Sequence, residues 1–414
     1  MNILLISYLF PPDKSAGGYR AASFAKYFPE KDLNVFLLTS NKEITENNEL
    51  QKEYNLSMVY YAKRPKLREI GYKIKLLALL ELLNLDKLLF FPDIYFPWIT
   101  RAVKVGSKAI ENEKIDVILA TQPPLSALVV GYRLSKKFNI PLISDYRDPW
   151  NGSPFLQFPK FIKKKHLKLE KKIVKKSKML VTIGKDCAKI IEKALHLEKD
   201  SFEIIHNGFF KEEIPTTQCE KEKQTFTVSF FGNFYLVHKP VFRTFCLGFG
   251  EFVKKHNLLP HQVKFNYAGG TSRKVIRRMV HEAEIEDYFH DLGYLSKRKF
   301  HCELQKSNVL ILLYPKGIEY ALPTKLYDYI LGNSHIMLIS YKKDNWSVLD
   351  EIEQQYTQVQ ISTSAIYEKL WSLYNKWKNN KLKYGCNEEK IMSFERKFLA
   401  YKYSEKIKAK FMKH

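Results

Sequence analysis

Short runs of wholly or nearly wholly apolar residues recur along this chain, each followed by a longer amphipathic stretch. Ile3–Leu9, Val35–Thr39, Asp116–Thr121, Ile140–Ser144 and Met179–Ile183 form one series. A strand tolerates apolar residues at every position only where both faces of its sheet are covered. These runs therefore predict a parallel sheet with helices on each side. The series pauses after Ile204-Ile205-His206-Asn207-Gly208, and residues 211–225 are polar and charged. It restarts with Thr227–Phe231, Val263–Ala268, Asn308–Tyr314 and His335–Ser340. Two such arrays predict two facing, doubly wound, Rossmann-like α/β domains, residues 1–208 and 226–391, with 209–225 as linker. A basic amphipathic helix closes the chain at about 392–414 and is free to pack back on the first domain. The length of 414 residues fits this division, because a single core rarely grows so large.

Ligands of doubly wound sheets bind beyond the carboxyl ends of the strands, so a cleft between the two sheets is the expected active site. Four segments fall at such ends or beside them. Gly17-Gly18 precede a helical stretch, where glycine lets backbone N–H groups approach an anion; an ordinary turn is the alternative. Asp145-Tyr146-Arg147-Asp148-Pro149-Trp150 follows a strand. Asp145 or Asp148 would bind acceptor hydroxyls or take a proton, and Arg147 would hold a phosphate; an Asp–Arg pair closing the turn is the structural alternative. Gly232-Asn233 ends the first strand of the second array, with His238-Lys239 after it. Pro323-Thr324-Lys325-Leu326-Tyr327-Asp328 has the form of a helix entry with Thr324 as N-cap. Lys325 and Asp328, three apart, share a face, which suits a nucleoside diphosphate: ammonium and helix terminus to phosphate, carboxylate to ribose.

The formal charge of +24 implies an anionic partner, and the excess is shared by both halves of the chain. It concentrates in Lys160–Lys178, where ten lysines stand against Glu170 alone and apolar residues interleave. Such a helix predicts a membrane-surface element, with Lys163, Lys164, Lys165, Lys171 and Lys172 toward anionic headgroups; a solvated surface helix is the alternative. Residues 63–104 add basic and apolar residues, ending in Phe90, Phe91, Tyr95, Phe96 and Trp98, and read as a lipid-contacting hairpin or as helices completing the first domain. No run of about 18 apolar residues exists to span a bilayer, and the first residues read as a buried strand rather than a signal peptide. The five cysteines lie far apart with no C-x-x-C pair, which predicts free thiols in a reducing cytoplasm and no zinc site. No histidine has metal-ligand spacing and no Asp-x-Asp pair exists, so neither a metal nor a cofactor is expected.

In this order, the segments resemble bacterial family 4 glycosyltransferases of the GT-B fold. Met1–Ser40 is similar to their opening strand and Gly-Gly loop. Thr121-Gln122-Pro123-Pro124-Leu125-Ser126 with Tyr146-Arg147-Asp148-Pro149-Trp150 resembles a subgroup that builds cell-surface polysaccharides. Ile205-His206-Asn207-Gly208-Phe209 resembles the interdomain turn, Phe231-Gly232-Asn233 the start of the donor domain, and Gly293-Tyr294-Leu295-Ser296 the segment near the base. The resemblance implies a nucleotide-sugar bound to the second domain and an acceptor on the first, with transfer that retains configuration and needs no metal. It places Asp328 where the family's second motif glutamate binds ribose, Lys325 near the sugar phosphate, and Gly232 and Lys239 on the phosphate side. The first motif glutamate would fall at Tyr320, with Glu319 one residue out of register.

The expected function is thus sugar transfer from a UDP- or GDP-sugar to a glycan or lipid-linked acceptor of capsule, O-antigen or similar polymer. The enzyme would be cytoplasmic and peripheral on the inner face of the plasma membrane, with no nucleic-acid partner. The alternatives are a GT-B-type sugar-nucleotide epimerase and a non-enzymatic basic scaffold for membranes or nucleic acid; no nucleic-acid-binding signature supports the scaffold.

Overall fold

The computed structural model describes residues 1–13, 16–64, 90–153, 158–214, 218–232, 234, 236–270, 273–317, 323–341 and 347–412. The chain forms two compact units. Met1–Asn207 with the final helix make one, and Gly208–Glu395 make the other.

The first unit carries seven strands: β1 (Asn2–Ser7), β2 (Asn34–Thr39), β3 (Leu56–Tyr61), β4 (Val117–Gln122), β5 (Leu142–Tyr146), β6 (Ser177–Thr182) and β7 (Glu203–Ile204). They pair in parallel in the order β3-β2-β1-β4-β5-β6-β7. The order reverses between β1 and β4, the place where a doubly wound sheet opens a crevice. In β1, Ile3, Leu4 and Ile6 are buried on both faces, as their unbroken apolar run requires.

The second unit repeats the plan with β8 (Phe226–Phe231), β9 (Val263–Ala268), β10 (Phe289–Gly293), β11 (Val309–Tyr314), β12 (His335–Ser340) and β13 (Tyr356–Gln360). The order is β10-β9-β8-β11-β12-β13, again parallel throughout, with its reversal between β8 and β11. Its core is unusually aromatic, with Phe230, Phe242, Phe245, Phe249 and Phe265 packed ring to ring.

The helix Arg396–Phe411 belongs to the first unit. Tyr403 packs edge-on against Phe24 and Phe28, with ring centroids 5.1 and 5.7 Å away. Lys397 pairs with Glu30 at 2.7 Å, Lys406 with Glu203 at 2.5 Å and Lys408 with Asp32 at 3.1 Å. The basic character of this helix therefore serves attachment to its own unit.

Residues 218–225, though mostly exposed, are tied to the second unit. Lys221 donates to the carbonyls of Gln305 and Ser307 and to Ser334 Oγ. Cys219 and Cys302 are not free thiols. They form a disulfide, with Cα atoms 5.4 Å apart, because the fold lays the 218–225 segment along the helix Lys297–Lys306; a separation of 83 residues hides this in the sequence. Trp98 does not face lipid. It is fully buried and donates its indole N–H to Ala62 O at 2.9 Å. Most of the expected lipid-contacting hairpin, residues 65–89, lies outside the described residues. Among the described residues no helix is long and apolar enough to cross a membrane.

Candidate active site

In the second unit, β8 ends at Phe231 and the chain turns at Gly232, whose φ of +108° is strained for any residue with a Cβ. Its neighbour loop crowds it, since a Cβ on Gly269 would lie 2.5 Å from Gly232 O. The helix Thr324–Leu331 is bolted to this turn by Tyr329. The phenol Oη accepts from Phe231 N at 2.9 Å and donates to Phe231 O at 3.1 Å. Burial of Leu326, Tyr327 and Ile330 fixes the rest of the helix.

That anchorage aims the first turn of the helix at Gly232. Lys325 Cδ lies 3.6 Å from where a Gly232 Cβ would be, and the ammonium sits 4.5 Å over the Phe230 ring. Nζ is enclosed and has no hydrogen-bond partner. Burial without a counter-charge lowers its pKa from 10.5 to about 7. His238 is buried nearby, and burial first, then the Lys325 charge, lowers its pKa to about 4, so it is neutral at pH 7. An ammonium, a neutral imidazole and the backbone N–H groups of a helix start form a cradle for an anion.

The other expected donor residues are placed as follows. Thr324 is not the N-cap. Pro323 occupies that position in extended geometry, and Thr324 is the first helical residue with no capping bond to its side chain. Asp328 is half-buried one turn along the helix from Lys325. Lys239 is exposed at the start of the helix Lys239–Lys255, so His238 rather than Lys239 is the residue against Lys325. Tyr294 is 77% exposed after the Gly293 turn. Asn233 and Glu319 lie outside the described residues. Sequence reasoning passed over Tyr329, whose hydroxyl has no motif signal, and Arg273, which approaches Gly293 and lies 3.7 Å from Asp291.

In the first unit, Asp145 is fully buried at the end of β5. Arg20 donates to both its oxygens, from Nε at 2.9 Å and Nη2 at 2.8 Å, and Thr121 Oγ1 donates at 2.7 Å. Arg20 also donates from Nη1 to the carbonyls of Ile205 and His206, at 2.9 and 3.0 Å. This clamp ties the first helix, β4, β5 and the strand leaving the unit. Asp145 therefore pairs with Arg20, from the first helix, rather than with Arg147 in its own turn.

Arg147 lies instead against the first turn of the helix Ala16–Tyr27. A Cβ on Gly17 would stand 2.8 Å from its Nη1, and one on Gly18 would stand 3.1 Å from Phe10 Cα. The two glycines are thus required by close packing of a guanidinium and a strand end. Arg147 Nε and Nη1 are buried with no acceptor, and burial lowers its pKa despite the neighbouring Asp148 charge. Burial raises the Asp148 pKa, opposed by Arg147. Unlike Asp145, Asp148 keeps partial solvent exposure, and Gln122 Nε2 holds its carbonyl.

The helix Lys160–Lys176 has a buried face of Ile162, His166, Glu170, Ile173 and Val174. Lys163, Lys164, Lys165, Lys171 and Lys172 are all exposed on it, together with Phe161 at 59%. Among the described residues no group of three or more His, Cys, Asp or Glu is arranged to hold a metal ion.

Residues 18–212, which span most of the first unit and run just past its boundary at Asn207, match the family model described as Glycosyltransferase Family 4. This segment belongs to glycosyltransferase family 4. The chain is accordingly an enzyme of the glycosyltransferase kind. No curated protein matches it significantly. Among solved structures it is similar to sucrose-phosphate synthase from Thermosynechococcus elongatus, at TM-score 0.70 and 11% identity over 100% of this chain and 99% of that one. It is similar to Anabaena Alr3699/HepE in complex with UDP and glucose, at TM-score 0.64 and 12% identity over 99% and 100%. The apo lipopolysaccharide outer core galactosyltransferase WaaB gives TM-score 0.60 and 12% identity over 99% and 100%. At such identities the likeness shows the fold: this chain has the two parallel-sheet units of the GT-B fold.

Proposed function

We propose that this glycosyltransferase moves a sugar, with retention and without a metal, from a UDP- or GDP-sugar to a glycan or lipid-linked acceptor in cell-surface polysaccharide synthesis. The observation that carries the donor reading is Lys325, a buried ammonium with no acceptor at a helix start beside a glycine turn. Diphosphate oxygens supply the missing counter-charge, the first-turn N–H groups share it, and Asp328 takes the ribose hydroxyls. Gly232 leaves room for the phosphates, while Lys239 and Tyr294 stand at the rim. HepE, a structural neighbour, is described in complex with UDP and glucose, which supports a nucleotide-sugar donor.

On the first unit, the Arg147 guanidinium beside Gly17, whose Nε and Nη1 have no acceptor, is a second place suited to an anionic oxygen. Asp148, partly exposed next to it, is the carboxylate available to an acceptor, whereas Asp145 acts through the clamp it forms with Arg20. The exposed lysines of the helix Lys160–Lys176, with Phe161 among them, suit an anionic bilayer surface, so the enzyme works as a peripheral protein on the cytoplasmic face.

Titration calorimetry of the purified protein with UDP, GDP and their sugar conjugates tests the donor reading. Saturable binding of one nucleotide, weakened by Asp328→Ala without loss of melting temperature, is expected. No binding of any of them at millimolar concentration rejects it.

A further inference from the structure

The helix Lys160–Lys176 hides two polar side chains under its lysine face. His166 and Glu170 are both 0% exposed, one turn apart on the inner side. Packing alone asks for aliphatic residues there, as at Ile162 and Ile173. Each polar group instead accepts from one of two consecutive residues in the turn that carries Arg147 and Asp148. Trp150 Nε1 donates to His166 Nδ1 at 2.8 Å. Asn151 donates to Glu170 Oε2 twice, from its backbone N at 3.0 Å and from Nδ2 at 2.6 Å. Phe158 stacks on the His166 ring at 3.8 Å and 14°, and Phe91 meets it edge-on at 4.8 Å.

The arrangement leaves His166 Nε2, Glu170 Oε1, Asn151 Oδ1 and Tyr146 Oη buried without partners. Unsatisfied buried polar atoms oppose folding, so packing is not what these residues serve best. Their geometric effect is specific. The turn is held at its near end by β5 and by Gln122 on the Asp148 carbonyl. His166 and Glu170 hold its far end, two and three residues beyond Asp148. Any shift of the helix is thereby passed to the turn.

We propose that His166 and Glu170 are positioning residues that latch the Arg147–Asn151 turn to the lysine-faced helix, so that docking of the helix on an anionic bilayer alters the mobility of the turn bearing Asp148. The coupling rests on the peripheral-membrane reading given above; the latch itself does not.

Hydrogen exchange of the full chain over 146–153 tests both, with flotation measured in parallel. Vesicles of phosphatidylglycerol and phosphatidylcholine are compared with phosphatidylcholine alone. Wild type floats with the anionic vesicles, and exchange over 146–153 slows there and not with the neutral ones. Glu170→Ala floats equally, exchanges about tenfold faster over 146–153, the factor for roughly one lost hydrogen bond, and ignores the vesicles. Glu170→Gln keeps an acceptor for Asn151 and restores the wild-type response. If Glu170→Ala leaves exchange over 146–153 unchanged in free protein, the latch is wrong. If wild type floats without any change over 146–153, the coupling is wrong while the membrane reading stands. If wild type does not float, the membrane reading and the coupling fall together, and exchange in the free variants still decides the latch.

Discussion

Replacing Lys325 by methionine removes a buried charge while keeping the length of the side chain. In the wild type, burial lowers the Lys325 pKa from 10.5 to about 7. At about 1.36 kcal/mol per unit, holding the side chain in place at pH 7 costs the folded state up to about 4 kcal/mol relative to an uncharged group. The stem of the side chain keeps some solvent contact, so this is an upper bound. A thioether over the Phe230 ring carries no such cost. Lys325→Met is therefore expected to be more stable by about 1–3 kcal/mol, with about 2–4 °C in Tm for each kcal/mol. The same change deletes the cation meant for the diphosphate, and UDP or GDP affinity should fall at least about tenfold. The pH dependence has a definite sign. Between about 7 and 10.5 the unfolded chain binds the proton that native Lys325 has released, so this group's contribution to wild-type stability rises with pH. The advantage of the variant is full below about 7 and shrinks as pH rises toward 10.5. Urea denaturation at several pH values and nucleotide titration at pH 7 read both effects. A variant that is less stable, pH-independent in its difference and unaltered in nucleotide affinity would refute the assignment of Lys325 as a waiting cation.

Nucleotide binding should raise the Lys325 pKa and draw up to one proton from solution near pH 8; calorimetry in buffers of different ionisation enthalpy measures it. Asp145→Asn should cost about 3–5 kcal/mol in urea denaturation, because Arg20 is left buried without its partner; a loss below about 1 kcal/mol would show that the clamp is dispensable. Changing Lys163, Lys164, Lys165, Lys171 and Lys172 to Glu should abolish flotation with anionic vesicles, since each lysine near such a surface is worth roughly 1 kcal/mol, and leave nucleotide affinity intact. Reducing Cys219–Cys302, which closes a separation of 83 residues, should lower stability by at most about 4–5 kcal/mol, read as a shift of the urea midpoint with reductant.

The central strands were legible because burial on both faces leaves an unbroken apolar run. The edge strands β3 and β13 were not. Met58 is 47% exposed, and Tyr356–Gln360 is mostly half-buried, so their sequences carry the mixed pattern of a loop. Gly17 was legible as a glycine at a helix start, yet the close neighbour there is an arginine 130 residues away, which no local pattern announces. The Arg20–Asp145 clamp and the Cys219–Cys302 bond are long-range facts of the same kind. Lys325 was legible as a helix-start cation from Pro323 and its place after a buried strand; its lack of an acceptor was not, because that depends on the Phe230 ring and the Tyr329 anchor. His166 and Glu170 could be found as two polar residues four apart inside an otherwise lysine and aliphatic helix, but only the fold shows that they face Trp150 and Asn151.

Sugar transfer itself tests the account most directly. The purified protein is incubated with UDP- and GDP-sugars labelled in the sugar, in the presence of bacterial membrane extract as acceptor source. The account predicts that label from one nucleotide-sugar moves into the lipid-extractable or polymeric fraction with its anomeric configuration retained, and that Lys325→Met reduces this transfer. Isomerised nucleotide-sugar formed without acceptor, or label that stays wholly on the nucleotide, would contradict it.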